Sequence, residues 1–153
     1  MAQIASAGQC SAAHLDIVSG VGERLSNKIM GSYLRDHGIG ATDLAADGLI
    51  MTTGEHGAAL PLLPQTTERV HPIITSILSR GEVPCLTGFI GTAPDGSITT
   101  LGRGGSDLTA AVLANVLDAE EVILSKVEYR EKQNGWMDMW LPGWIGFVHQ
   151  VSC

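Results

Sequence analysis

The stretch TTLGRGGSDLTAAVLANVL, residues 99–117, sets Gly102, Gly104 and Gly105 around a single cation, Arg103, and then runs straight into an apolar, alanine-rich segment. Glycine adopts left-handed backbone without steric penalty, so closely spaced glycines can turn their amides toward one point. Ala110, Ala111, Leu113, Ala114 and Leu117 recur at helical spacing, and Ser106 reads as the residue that caps the helix. The free amides of a helix start carry partial positive charge, which makes residues 102–106 a cradle for an anion. Arg103 suits such a pocket, because its planar guanidinium holds a carboxylate or phosphate through two parallel hydrogen bonds. Asp107 falls in the first helical turn, where it either complements the dipole or orients a metal, an amine or a reacting group. A surface arginine on a glycine-rich turn is the competing reading. The stretch carries neither the G-x-x-x-x-G-K-[ST] nor the G-x-G-x-x-G pattern.

Upstream, TAPDGSITTL places a Pro-Asp-Gly-Ser turn between β-branched residues, which predicts a hairpin leading into the glycine loop. Before it, VPCLTGFIG reads as a strand, and Val70, Ile73, Ile74, Ile77 and Leu78 as the apolar face of a helix stopped by Gly81. Pro72 either delays that helix to about His71 or kinks it. Farther back, GERLSNKIMGSYLRDHG reads as an amphipathic helix with Glu23 near its start, an apolar face of Leu25, Ile29, Tyr33 and Leu34, and Gly38 as its stop. ATDLAADGLIMTTGEHG reads as a loop, a short strand at about residues 49–52 and a glycine-rich turn, and EEVILS as a buried strand. This alternation predicts an α/β fold, a mostly parallel sheet with helices on both faces, in which ligands bind at the carboxyl ends of strands.

The composition narrows the partners. The chain has 153 residues, of which 44% are apolar and 16% charged, enough for one packed domain. A net charge of −7, with no basic run longer than a pair, argues against nucleic acid and anionic membrane surfaces. No stretch is long and apolar enough to span a bilayer, and the N-terminus lacks the pattern of a signal peptide. The three cysteines share no C-x-x-C spacing and the five histidines no H-E-x-x-H, so no metal site is expected and a reducing compartment fits.

VPCLTGFIGTAPDGSITTLGRGGSDLTAAVLANVLDAEEVIL and VSGVGERLSNKIMGSYLRDHGIGATDL together resemble the central catalytic segment of aspartate kinases of the amino acid kinase family, over residues 18–125. Residues 1–17 are left unassigned. The resemblance implies the three-layer sandwich of that family and transfer of the γ-phosphoryl group of ATP, with Mg²⁺, to the side-chain carboxylate of L-aspartate. That reaction opens lysine, threonine, methionine and isoleucine biosynthesis. It further implies that Arg103 grips the substrate α-carboxylate and Glu23 its amino group, while Ser106 and the catalytic Asp107 position aspartate and the phosphate end of the nucleotide. Gly102, Gly104 and Gly105 form the phosphate loop. A full-length member is expected to be a homo-oligomer, in the cytoplasm or, in a plant or alga, the plastid.

The departures from the pattern are equally definite. The family opens with a KFGG-T/S strand and loop that binds ATP phosphates, and MAQIASAGQCSAAHLDIVSGVG does not resemble it. After EEVILSK the family continues with a DVDG-TADP segment, whereas here the tail VEYREKQNGWMDMWLPGWIGFVHQVSC follows and holds all three tryptophans. The fold is therefore expected to be incomplete at both ends, the remaining strands to expose apolar edges, and the chain alone to be no competent kinase. Residues 126–153 read as a non-family tail, either mis-joined or read-through coding sequence, or an aromatic helical stripe for a partner that Pro142 and Gly143 interrupt. Two other functions stay open. One is a glutamate or acetylglutamate kinase, which the Glu23 and Arg103 motifs disfavour; the other is a non-catalytic fragment that binds an amino acid or joins a full-length subunit.

Overall fold

A computed structural model describes residues 10–126 and 144–151. The elements are α1 (Ala12–Asp36), β1 (Ala41–Leu44), a 3-10 turn (Ala46–Gly48), α2 (Leu63–Ser79), β2 (Val83–Leu86), β3 (Ile90–Thr92), β4 (Ile98–Thr100), α3 (Gly105–Val116), β5 (Ala119–Lys126) and β6 (Trp144–Val151). The class is α/β, as expected.

Helix α1 starts well before the GERLS motif. Ser11 Oγ accepts the His14 amide at 3.3 Å and His14 Nδ1 accepts the Ser11 amide at 3.4 Å, a reciprocal cap that fixes the start. Glu23 therefore lies mid-helix. Gly20 and Gly22 weaken helix propensity, but Gly20 is needed for packing, since a Cβ there would stand 2.8 Å from Ile90 Cγ2. Gly38 ends the helix at φ 78, as its sequence position predicts.

The burial of α1 reverses the expected amphipathicity. Leu25, Ile29 and Tyr33 are 57%, 69% and 57% exposed, whereas Asp16, Gly20 and Gly31 are buried. Polar groups on the inner side take up backbone acceptors of the sheet: Asn27 Nδ2 donates to the Leu44 carbonyl at 3.0 Å, and Arg35 Nη1 to the Ala41 carbonyl at 2.9 Å. Arg35 also holds the Asp43 carboxylate through both its terminal nitrogens, each at 3.1 Å.

Strand β1, read from sequence as loop, pairs in parallel with β2 from Ala41↔Val83 to Leu44↔Leu86. Between them α2 buries Thr66, Val70, Ile74 and Ile77 and leaves Ile73 exposed. It starts at Leu63 and runs through Pro72, so it is not delayed to His71. The expected strand at residues 49–52 forms single bridges instead of a ladder, Met51 parallel to Thr92 and Thr52 antiparallel to Pro61. The hairpin forms as predicted, β3 and β4 pairing antiparallel around a turn with Gly96 at φ 86. The core is Ala46, Leu49, Ile50, Val70, Ile74, Ile90, Val112, Val116 and Leu117.

Strand β5 is present where EEVILS predicts it, but it is not buried: Val122, Ile123 and Leu124 are exposed. It pairs antiparallel with β6, from Ala119↔Val151 to Lys126↔Trp144. Trp144 thus stands in a strand, while the expected stripe at Trp136 and Trp140 lies outside the described residues. Among the described residues no helix is long and apolar enough to cross a membrane.

Candidate functional site

Three segments converge: the middle of α1, the turn at residues 87–89 between β2 and β3, and the glycine loop that opens α3. Gly102 and Gly104 take φ values of 75 and 74, the left-handed region that favours glycine. Gly104, not Ser106, is the cap residue of α3, and it offers no side-chain hydrogen bond. Ser106 lies inside the first turn, and its hydroxyl is directed elsewhere: Ser106 Oγ donates to Glu23 Oε1 in a long hydrogen bond of 3.4 Å. Two residues far apart in sequence, singled out together by motif, are thereby brought into contact.

Glu23 is half-buried. Burial pushes its carboxyl above the ordinary carboxylate range, and hydrogen bonds from the Ser106 hydroxyl and the Gly88 amide act against that rise. A carboxylate in such surroundings stays ionised only when hydrogen-bond donors or a cation offset the cost of its burial. Arg103 is exposed and Asp107 half-buried; neither side chain has a hydrogen bond or ion pair to the described residues. Arg103 thus carries a guanidinium with no partner among the described residues, between two glycines of left-handed backbone.

The TGF segment, read from sequence as part of a strand, is a turn that builds one wall of the site. Phe89 adopts φ 69, a left-handed conformation that costs a non-glycine residue about 1–3 kcal/mol unless its surroundings impose it. Here they do. The Phe89 amide donates to Thr109 Oγ at 3.1 Å, the Phe89 carbonyl accepts the Leu101 amide at 2.8 Å, and Thr109 Oγ donates to the Gly105 carbonyl at 2.8 Å. Gly105 leaves room for the ring, since a Cβ there would stand 2.8 Å from Phe89 Cδ2. A Cβ on Gly88 would stand 2.9 Å from the backbone Cα of Ser106. Gly88→Ala is accordingly expected to cost about 1–3 kcal/mol of stability and to lower the unfolding midpoint by about 3–10 °C, read by thermal denaturation. Gly88, Phe89 and Thr109 were not among the residues predicted for the site. Their only sequence signal is two glycines, Gly88 and Gly91, around an apolar pair.

The amino acid kinase family model matches residues 2–128. The chain belongs to the amino acid kinase family. Its relatives include the aspartokinase of Thermus thermophilus, 39% identical over 109 residues, with 70% of this chain and 25% of the relative covered. Aspartokinase 1 of Bacillus subtilis is 34% identical over 115 residues, covering 74% of this chain and 27% of the relative. Among solved structures, E. coli aspartokinase III in complex with aspartate and ADP superposes with a TM-score of 0.67 at 34% identity, over 71% of this chain and 24% of that one. This amino acid kinase chain thus spans about a quarter of the length of the curated relatives it matches.

Among the described residues no group of three His, Cys, Asp or Glu side chains converges on a point where a metal would sit. The helix start does fit a phosphate. The Gly105 amide is taken by the Gly102 carbonyl at 3.0 Å, while the Ser106 and Asp107 amides have no hydrogen-bond partner among the described residues.

Proposed function

We propose that residues 18–125 carry the aspartate-binding part of an aspartate kinase, which moves the γ-phosphoryl group of ATP to the side-chain carboxylate of L-aspartate. The observation that carries the reading is the hydrogen bond between Glu23 and Ser106, which ties the helix that carries Glu23 to the loop that carries Arg103, a side chain with no partner among the described residues. Glu23 as an anion and Arg103 as a cation supply the two charges needed to grip an α-amino acid by its amino and carboxylate groups. Glu23 takes the ammonium group and Arg103 the α-carboxylate, leaving the side-chain carboxylate free to react. In the reaction an oxygen of that carboxylate bonds to the γ-phosphorus as the bond to the bridging β–γ oxygen breaks, and ADP leaves. The open amides of Ser106 and Asp107, with the backbone of Gly102, Gly104 and Gly105, face the transferring phosphate. Such chemistry needs positioning and charge neutralisation more than covalent help. Mg²⁺ would be carried on the nucleotide phosphates, with Asp107 the carboxylate nearest to hand in the loop.

Residues 126–153 are read as a segment apart from the kinase core. The family reading carries with it homo-oligomerisation of the full-length protein and a cytoplasmic location, or a plastid one in a plant or alga.

Calorimetric titration of the chain with L-aspartate, succinate and L-glutamate tests the reading. Succinate lacks the amino group that Glu23 holds, so aspartate is expected to bind at least about tenfold more tightly. Equal affinity for aspartate and succinate, or no binding of either, would overturn the assignment. A preference for glutamate would move the chain to another branch of the family.

A further inference from the structure

The aspartate-binding reading leaves one buried carboxylate without a role. Asp16 is 3% exposed, lies on the same helix as Glu23, and is met by three donors from outside that helix. Asp16 Oδ1 accepts the Thr100 hydroxyl at 2.6 Å; Oδ2 accepts from His56 Nδ1 at 2.7 Å and from the Gly57 amide at 3.2 Å. A buried carboxylate is tolerated only when its lone pairs are taken up in this way.

All three donors lead to one place. Thr100 ends β4 and is separated from Gly102 only by Leu101. The turn that carries His56 and Gly57 lies against the loop itself, since the Gly57 carbonyl oxygen stands 2.9 Å from where a Cβ on Gly102 would be. The same two segments are joined again where the Ala59 amide donates to the Thr100 carbonyl at 2.9 Å. The strand that delivers the glycine loop and the turn that backs it are thus both tied to one point on α1.

Arg103 has no partner of its own among the described residues, so its position relative to Glu23 depends on how the loop is held to α1. We propose that Asp16 is a positioning residue for Arg103: through Thr100 and the His56–Gly57 turn it fixes the Gly102 hinge to the helix that carries Glu23. The guanidinium is then spaced from the Glu23 carboxylate before substrate arrives. This rests on the reading that Glu23 and Arg103 hold the two ends of aspartate. Prior fixing of the two charges removes an ordering cost from binding, and small misplacements of a gripping group are expensive.

The experiment compares the unaltered chain with Thr100→Val and His56→Ala, each cutting one arm, and with Asp16→Ala and Asp16→Asn. Thr100→Val keeps the volume, and His56 is partly exposed, so both variants are chosen to fold. Three quantities are read: affinity for L-aspartate, hydrogen exchange of the amides at residues 102–105, and the same exchange at residues 74–86 as an internal control. Each single-arm variant is expected to lose about tenfold in affinity, with faster exchange in the loop and none in the control segment. Asp16→Asn keeps an acceptor for Thr100 and is expected to recover part of the affinity lost in Asp16→Ala.

Unchanged loop exchange in both single-arm variants would overturn the clamp. Faster loop exchange with affinity intact would show a structural tie that does not place Arg103, and would overturn the positioning role. If the unaltered chain binds no aspartate, the binding reading falls and the positioning role falls with it, while the loop exchange still decides whether Asp16 holds the loop to α1.

Discussion

Replacing Arg103 by alanine is expected to lower the affinity for L-aspartate about a hundredfold and to leave the unfolding midpoint where it was. The two effects separate because the side chain is exposed and makes no hydrogen bond or ion pair to the described residues, so the fold loses nothing when it is removed. Surface changes of that kind shift stability by no more than about 0.5 kcal/mol. The ligand, in contrast, loses a paired, charge-assisted contact to its α-carboxylate. Hydrogen bonds to charged groups contribute about 1.5–3 kcal/mol, and a hundredfold loss corresponds to about 2.7 kcal/mol. Arg103→Lys keeps the charge but not the planar fork, and should recover roughly half of that loss on the free-energy scale. Calorimetric titration beside thermal denaturation reads both quantities. An alanine variant that binds aspartate as the unaltered chain does would remove Arg103 from the site.

Glu23→Gln should separate stability from binding in the other direction. Burial raises the folded-state pKa of Glu23 above its unfolded value, against the hydrogen bonds from Ser106 and Gly88. The folded chain therefore holds this proton more tightly than the unfolded chain does. The contribution to stability is most favourable at low pH, where the group is protonated in both states. It declines as pH rises from the unfolded value to the raised folded value, and above that the full cost of burying the charge applies. Glutamine is neutral and nearly the same shape, so the variant is expected to be at least as stable as the unaltered chain at neutral pH and to lose this part of its pH dependence. Aspartate binding runs the opposite way, because the substrate ammonium group needs the ionised form. Affinity is expected to rise with pH through the raised Glu23 range in the unaltered chain, and in Glu23→Gln to be about ten- to a hundredfold lower and flat over that range. Thermal denaturation and titration at a series of pH values check both curves. A variant that is less stable at neutral pH and binds aspartate normally would mean that Glu23 serves the fold and not the ligand.

Much of the loop was legible because its conformation is set locally. Gly102 and Gly104 adopt the left-handed backbone that glycine tolerates best, the Pro-Asp-Gly-Ser turn closes the β3–β4 hairpin, and Gly38 and Gly81 stop α1 and α2 with positive φ. None of these outcomes depends on distant residues. The role of Ser106 was misread at the same place. A serine before a helix is ordinarily its cap, but Gly104 already turns the chain into α3, and the Ser106 hydroxyl is left to reach Glu23. Strand β1 was missed because ATDL is short and half polar. Its strand character comes from β2, about forty residues on, and its Asp43 is held by Arg35.

Helix α1 marks the boundary most clearly. Apolar spacing at Leu25, Ile29 and Tyr33 correctly announced a helix and incorrectly announced which side faces inward. Periodicity reports that a face is apolar, whereas burial depends on what lies opposite. Here β1 presents the carbonyls of Ala41 and Leu44, β3 the branched side chain of Ile90 and β4 the hydroxyl of Thr100, which are met by arginine, asparagine, glycine and aspartate. Local backbone chemistry in the sequence thus determined the turn, the hinges and the helix that make an anion cradle. Only the tertiary structure decided that α1 turns its polar side inward, because the partners that satisfy Asp16, Glu23 and Asn27 come from elements remote in sequence.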